Sequence, residues 1–236
     1  MEINQGKSGY IEKPLLKMTH VSRMKKRKLF RKSEHFILQD ISFSLPAGYI
    51  MGLAGVNGAG KTTLLDCIMN PKQCYQGEIQ LNGRDIREDH TAMREQLGFV
   101  SEQNHFLNLR SAKQNAELLG NMYMNFDMKL FFQALQKMEL SPSKKVGEMS
   151  RGELMRFQMA FAIAHKPALY LLDEVTAGMD PVFRMDFFHI LQEIIKDETA
   201  SVIMVTHLEE ELHKYMDYIG IMEQGCLVEY KENVPA

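Results

Sequence analysis

The sequence has no apolar run of about eighteen residues, so it holds no candidate transmembrane helix, and any work at a membrane requires a partner to supply the span. Its first thirty residues scatter Glu2, Lys7, Glu12 and Lys13 among polar neighbours and lack the apolar stretch of a secretory signal. Cysteine is scarce. Cys67, Cys74 and Cys226 are too few and too scattered for a disulfide framework, and no CxxC pair suggests structural zinc, so a reducing cytoplasm is the expected compartment. Charge imbalance is missing as well: 28 basic against 30 acidic side chains leave a formal net charge of −2, which argues against bulk attraction to nucleic acid or an anionic membrane. Internal repeats and low-complexity tracts are absent. What remains is an ordinary globular composition, 45% hydrophobic and 25% charged over 236 residues. That length fits one domain with an inserted lobe, able to bury roughly 70% of its unfolded surface.

Apolar periodicity organises the chain. Residues 1–14 are polar and unpatterned and read as a tail, whereas Leu15–Val21 starts a strand. The basic run Lys25–Lys32 precedes Phe36–Leu45, which alternates with period two, so the two strands form a hairpin with a charged tip. That run is a solvated tip or, alternatively, a local site for nucleic acid or anionic lipid. Further strands are expected at Tyr49–Ala54, Gly77–Leu81, Leu97–Ser101, Ala168–Leu172, Ser201–Val205 and Tyr218–Met222. Helical patterns cover Lys61–Met69, Ala112–Met124, Lys129–Met138, Gly152–His165 and Pro181–Lys196. Strands alternating with helices predict an α/β layered sheet, partly parallel, with antiparallel strands early and late. Most of the 18 methionines fall at core spacing and are expected to pack rather than to form a soft binding groove.

The clearest chemical pattern is Gly55-Val56-Asn57-Gly58-Ala59-Gly60-Lys61-Thr62-Thr63, which satisfies GxxxxGK[ST] between an expected strand and an expected helix. Glycines let the backbone wrap a phosphate, the amides and the helix start point at the anion, Lys61 adds a point charge, and Thr62 offers a hydroxyl to Mg²⁺. Downstream, the apolar run Leu169–Leu172 delivers Asp173 and Glu174 at its C-terminal end, where open α/β sheets bind ligands. Asp173 suits Mg²⁺ through its water shell, and Glu174 suits the orientation or deprotonation of an attacking water.

These motifs, with Met149-Ser150-Arg151-Gly152-Glu153 ahead of Asp173, Ala177-Gly178-Met179-Asp180 after Glu174, and Thr206-His207 after an apolar strand, resemble the nucleotide-binding subunits of ABC transporters in content and order. The resemblance runs from about Leu15 to Tyr230 and implies a P-loop NTPase core: a mixed sheet with a parallel core and an antiparallel β-subdomain, plus a helical lobe at about 104–165. On this reading residues 15–230 form the ATPase domain and 231–236 a C-terminal tail. Two such domains sandwich two ATP molecules, and Ser150, Arg151, Gly152 and Glu153 meet the ATP held by the other protomer's phosphate loop. Asp180 communicates between the sites, and His207 hydrogen-bonds the γ-phosphate and the attacking water. The partners implied are an integral membrane permease, whose coupling helix seats near Phe106–Met124, and a second ATPase domain, identical or not; no nucleic acid is expected. The protein would then sit peripherally on the inner face of the cell membrane.

Several positions depart from the family pattern. Met149, Arg151 and Glu153 replace three residues of the usual LSGGQ signature, and the basic third position is similar to a bacterial ABC-2-type exporter branch. Glu153 brings an opposing charge near an anion. After Gly98-Phe99-Val100-Ser101, register sets Glu102 where the family glutamine sits, with Gln103 next, and either oxygen could reach Mg²⁺. Val175 replaces a common proline. The adenine-stacking aromatic falls to Phe30, with Phe36 open as core instead. Only 29 residues follow His207, which favours a minimal exporter-type engine over one with an appended regulatory domain. Two other readings are a soluble ABC-type ATPase and a slow nucleotide switch.

Overall fold

The computed structural model describes residues 13–24, 36–70, 72, 75–177 and 179–233. In chain order the elements are β1 (Leu16–Met24), β2 (Phe36–Leu45), β3 (Ile50–Ala54), α1 (Lys61–Met69), β4 (Gln76–Leu81), β5 (Arg84–Asp85), α2 (His90–Glu95) and β6 (Leu97–Ser101). They continue as α3 (Ala112–Leu119), α4 (Met128–Lys137), α5 (Arg151–His165), β7 (Leu169–Asp173), α6 (Pro181–Ile195), β8 (Ser201–Val205), α7 (Glu209–Tyr215), β9 (Tyr218–Glu223) and β10 (Cys226–Glu232).

The strands sort into two sheets. Alternation on β1 buries Leu16, Met18 and Val21 and leaves Lys17 and His20 exposed, so one face must be covered. β1 pairs antiparallel with β2 and β4, giving a four-stranded sheet in the order β2-β1-β4-β5. The alternation breaks at His20, whose φ of 50° accompanies a shift of register against both neighbours. The early antiparallel strands therefore form a sheet of their own rather than an edge of the main one.

The second sheet runs β10-β9-β3-β8-β7-β6, parallel from β9 to β6 and closed by antiparallel β10. β3 and β8 are buried throughout, as continuous apolar runs covered on both faces should be. Successive residues of β7 serve opposite cores. Leu169 and Leu171 pack with α1 and the antiparallel sheet, whereas Tyr170 and Leu172 pack with α5, α6 and the helical lobe. The pairings Ser101 to Asp173, Asp173 to Val205 and Leu53 to Val205 align the C-terminal ends of β6, β7, β8 and β3 on one edge.

The lobe is α3, α4 and α5 around an aromatic cluster. Phe106 meets Phe157 and Phe161 with ring centroids 4.6 and 5.0 Å apart, and Phe131 and Phe157 are completely buried. Ser111 starts α3 with a reciprocal capping box to Gln114, and Asp127 starts α4 by accepting from Lys129 and Leu130. α3 is shorter than the Ala112–Met124 pattern predicts: it ends at Leu119 and tightens to a 3-10 turn over Gly120–Met122. β10, which periodicity does not predict, runs across the domain boundary expected at Tyr230, since Lys231 and Glu232 still pair with Ile219 and Tyr218. Asn233 follows, donating its amide to the carbonyls of Leu212, His213 and Met216. Among the described residues ten methionines are buried, which agrees with packing as their main role.

Candidate functional site

The glycine-rich turn between β3 and α1 follows from two backbone demands. Gly55 has φ 146°, and a Cβ there would lie 2.3 Å from the Met222 carbonyl oxygen, so no side chain fits. Gly60 has φ 109° and caps α1 without a side chain, so nothing covers the first amides of the helix. Lys61, the first residue of α1, is only 6% exposed and turns its ammonium into the loop, donating to the carbonyls of Gly55 at 2.6 Å and Val56 at 3.1 Å. A buried cation held by two backbone dipoles stands ready for an anion in the same turn.

Opposite this turn, β7 ends in Asp173. The Thr62 hydroxyl donates to Asp173 Oδ2 at 3.0 Å, across 111 positions of sequence. Burial pushes the Asp173 carboxyl above the usual range, the Thr62 bond opposes that shift, and the neighbouring Glu174 adds to it. Glu174 is half-buried and takes φ 53°, a left-handed conformation costing on the order of 1 kcal/mol for a residue with a Cβ. Its N–H donates to Val205 O at 3.1 Å, which holds the turn against the end of β8. Among the described residues no cluster of three or more His, Cys, Asp or Glu could hold a metal alone. A hydroxyl and a carboxyl in contact instead fit Mg²⁺, a hard cation that completes its shell with water and phosphate.

Thr62, Glu102, Gln103, Asp173 and Glu174 line one cleft of about 660 Å³ that runs on to Tyr123 and His165 in the lobe. The loop bearing Glu102 and Gln103 is anchored by a residue that sequence reasoning missed. Gln158, buried on α5, accepts from the Ser101 N–H at 3.1 Å and donates to the carbonyls of Ser101 at 2.9 Å and Gln103 at 3.3 Å. A glutamine inside an apolar helix pattern carries no signal of that task. The Glu102 carboxylate is half exposed and pairs with Arg151, so two of the off-pattern residues contact each other.

Ser150 caps α5, accepting from the Glu153 N–H, while the Glu153 carboxylate accepts from the Ser150 N–H at 2.9 Å. Lys144 donates to both Glu153 oxygens and holds that carboxyl below its ordinary range, with the Ser150 N–H assisting. The opposing charge expected of Glu153 is thus already matched within the lobe. Arg151 is half exposed, and beside Gly152 the space is open for 4 Å around a would-be Cβ. Asp180 is exposed and caps α6 by accepting from Phe183 at 2.9 Å, with Pro181 at the first helical position. His207 is exposed beyond β8, without a hydrogen-bond partner among the described residues, and does not line the cleft. Phe30, assigned to adenine, and the basic run lie outside the described residues, as does Gly178.

A family model described as ABC transporter matches residues 38–177. The ABC transporter ATP-binding protein YtrB of Bacillus subtilis (strain 168) is 30% identical over 191 residues, covering 81% of this chain and 65% of YtrB. A methionine import ATP-binding protein MetN of Protochlamydia amoebophila is 27% identical, covering 91% of this chain and 66% of its own length. The bacitracin transport ATP-binding protein BcrA of Enterococcus faecalis is 27% identical over 83% of this chain and 64% of BcrA. The chain thus spans just under two thirds of these relatives. Among solved structures, the ATP-binding cassette MJ0796 bound to ADP and Pi aligns with TM-score 0.81 at 21% identity, covering 94% of this chain and all of that one.

Proposed function

The chain belongs to the ABC transporter ATP-binding family, and from that premise we propose that it is the ATP-hydrolysing subunit of a membrane exporter. The observation that carries the proposal is the Thr62–Asp173 hydrogen bond beside buried Lys61 and half-buried Glu174, at the carboxyl edge of a parallel sheet. In this reading residues 55–63 wrap the β- and γ-phosphates of ATP, and the Lys61 ammonium turns from the Gly55 and Val56 carbonyls toward them. Thr62 and Asp173, with Glu102 or Gln103, hold Mg²⁺, which when bound neutralises charge on the phosphate oxygens. Glu174 accepts a proton as a water oxygen forms its bond to the γ-phosphorus. The bond to the β-phosphate oxygen breaks, releasing ADP and phosphate. His207 and the partner protomer's signature complete the phosphate's surroundings, with Ser150, Arg151 and Gly152 playing that part toward the partner's ATP and Asp180 bridging the two sites.

The proposed transport calls for a membrane partner; no helix of the described residues is long and apolar enough to cross a bilayer. The lobe supports one docking surface: Leu107, Leu109, Leu118, Met122 and Met124 are all exposed, with Leu109 at 87% and Met124 at 89%. The permease's coupling helix would seat there, placing the chain on the inner face of the cell membrane. Export rests on Arg151 at the third signature position and on Glu102 where the family glutamine sits, since the named relatives include both methionine import and bacitracin transport proteins.

Glu174→Gln should lower ATP turnover by roughly 10²–10⁴-fold while leaving ATP binding intact. Recovery of a polytopic membrane protein at near-stoichiometric amounts with the tagged chain supports the transporter. Recovery only in the soluble fraction, or with nucleic acid, refutes it. The Glu102–Arg151 pair favours a second reading, because it occupies the signature arginine within its own chain. A slow nucleotide switch of that kind would show background turnover unaltered by Glu174→Gln.

A further inference from the structure

We infer that Glu211 is a positioning residue for hydrolysis, a single buried carboxylate that ties the loop carrying His207 to the turn carrying Glu174. The inference rests on the ATPase reading above. Glu211 lies in the first turn of α7 and is 2% exposed. Its Oε2 accepts the Thr206 hydroxyl at 2.6 Å and the Thr176 hydroxyl at 3.0 Å. Its other oxygen lies 3.6 Å from Arg184 Nε on α6.

Each partner sits next to a residue of the proposed machinery. Thr206 immediately precedes His207, and its oxygen also accepts from the Leu208 N–H at 3.1 Å, which closes the chain around the histidine. Thr176 lies two residues after Glu174, in a turn where Ala177 N donates to Glu174 O and Met179 N to Thr176 O. Arg184 donates to the Met179 carbonyl at 3.2 Å, beside Asp180. The loops that follow β7 and β8 and the N-terminal part of α6 therefore converge on one side chain.

A buried carboxylate is costly unless matched by donors, and here the donors come from segments that must keep register during hydrolysis. Glu174 and His207 cannot hold each other, since His207 lies exposed and without a partner among the described residues. Their relative placement depends on what fixes the backbone behind them. Glu211 supplies that fixture without lining the cleft or bonding to residues 55–63, so its loss should act on the reaction rather than on nucleotide affinity.

The test uses the full chain. Glu211→Gln keeps the shape and an acceptor for the hydroxyls but sets an amide against Arg184. Turnover should fall at least about tenfold with KM changed by less than about twofold, as misplacement of reacting groups predicts. The His207 ring signal in proton–carbon NMR should shift while core methyl signals stay in place. Turnover within about twofold of the parent overturns the inference, and so does an unmoved His207 signal or a loss shared equally by KM and core signals. If Glu211→Gln fails to fold, Thr176→Val removes one hydroxyl from the same carboxylate and carries the same readouts. A parent chain lacking Glu174-dependent turnover defeats the ATPase reading itself, and the His207 signal then decides whether the clamp exists.

Discussion

The turn carrying Lys61 and the helix start carrying Arg151, both assigned to a phosphate in the proposed function, are built differently. Lys61 is 94% buried, with both of its visible contacts inside its own loop, and Asp173 beside it is half-buried and bonded to Thr62. Arg151 is half exposed, leans on the equally exposed Glu102, and adjoins a glycine with open space around it. The first region makes its contacts inside the chain; the second lies on the surface, where the proposed partner protomer would meet it. A buried cation owes its strength to low dielectric and fixed dipoles, whereas an exposed pair contributes little until a partner excludes water. If the chain assembles as proposed, a partner would strengthen the second region without disturbing the first.

The largest expected effect breaks the comparison if it fails. Lys61→Ala removes the charge and leaves the Gly55 and Val56 carbonyls without their donor, so ATP affinity should fall ~100-fold, a loss of about 2.7 kcal/mol by calorimetric titration. Binding preserved to within about threefold would mean that the buried cation is not the principal anion contact. A smaller effect probes the seam between the regions. His165 ends α5 beneath Tyr123, with ring centroids 4.2 Å apart, and burial lowers its pKa from 6.5 to about 4. The folded chain keeps this ring neutral, while the unfolded chain binds a proton as pH drops below 6.5. Between the two pKa values the unfolded state holds more protons, so stability declines as pH falls through that window. From pH 7 to pH 5.5 the loss is roughly 1 kcal/mol, and His165→Phe should abolish that portion of the slope in urea midpoints at the two pH values.

Which features were legible follows the same division. The glycine-rich turn is local, so its nine residues display their purpose in order, and β6, β8 and α1 occur with the bounds that periodicity predicts. Glu174 was legible as a carboxylate after a buried run, though its left-handed backbone was not. Elements whose stabilisation is tertiary escaped. α7 presents three glutamates and a lysine, and only contact with Thr176, Thr206 and Arg184 makes Glu211 an interior residue. α2 is six residues long and owes its start to Asp89, which accepts from Thr91 and Ala92. β10 alternates poorly because it is an exposed edge, held by pairing to β9 and by Tyr230, which donates to Ser44 O at 2.6 Å. The pairing of Glu102 with Arg151, 49 positions apart, depends on how the lobe lies against the sheet edge, which no local pattern encodes.

The smallest effect on stability sharpens the contrast most. Leu109 and Met124 are 87% and 89% exposed, so replacing both by serine removes little apolar area from the folded interior. The lobe's cohesion resides elsewhere, in Phe131, Phe157 and the rings packed on them. Stability of Leu109→Ser/Met124→Ser should accordingly stay within about 0.5 kcal/mol of the parent in denaturant titration. ATP turnover by the isolated chain should hold as well, because neither residue lines the cleft. Recovery of a membrane subunit from solubilised membranes should nevertheless drop. Apolar side chains that do nothing for the fold but are required for that recovery are explained by a partner surface. If the double variant loses stability instead, these side chains serve the lobe's own packing, and the region joins the self-sufficient half of the molecule.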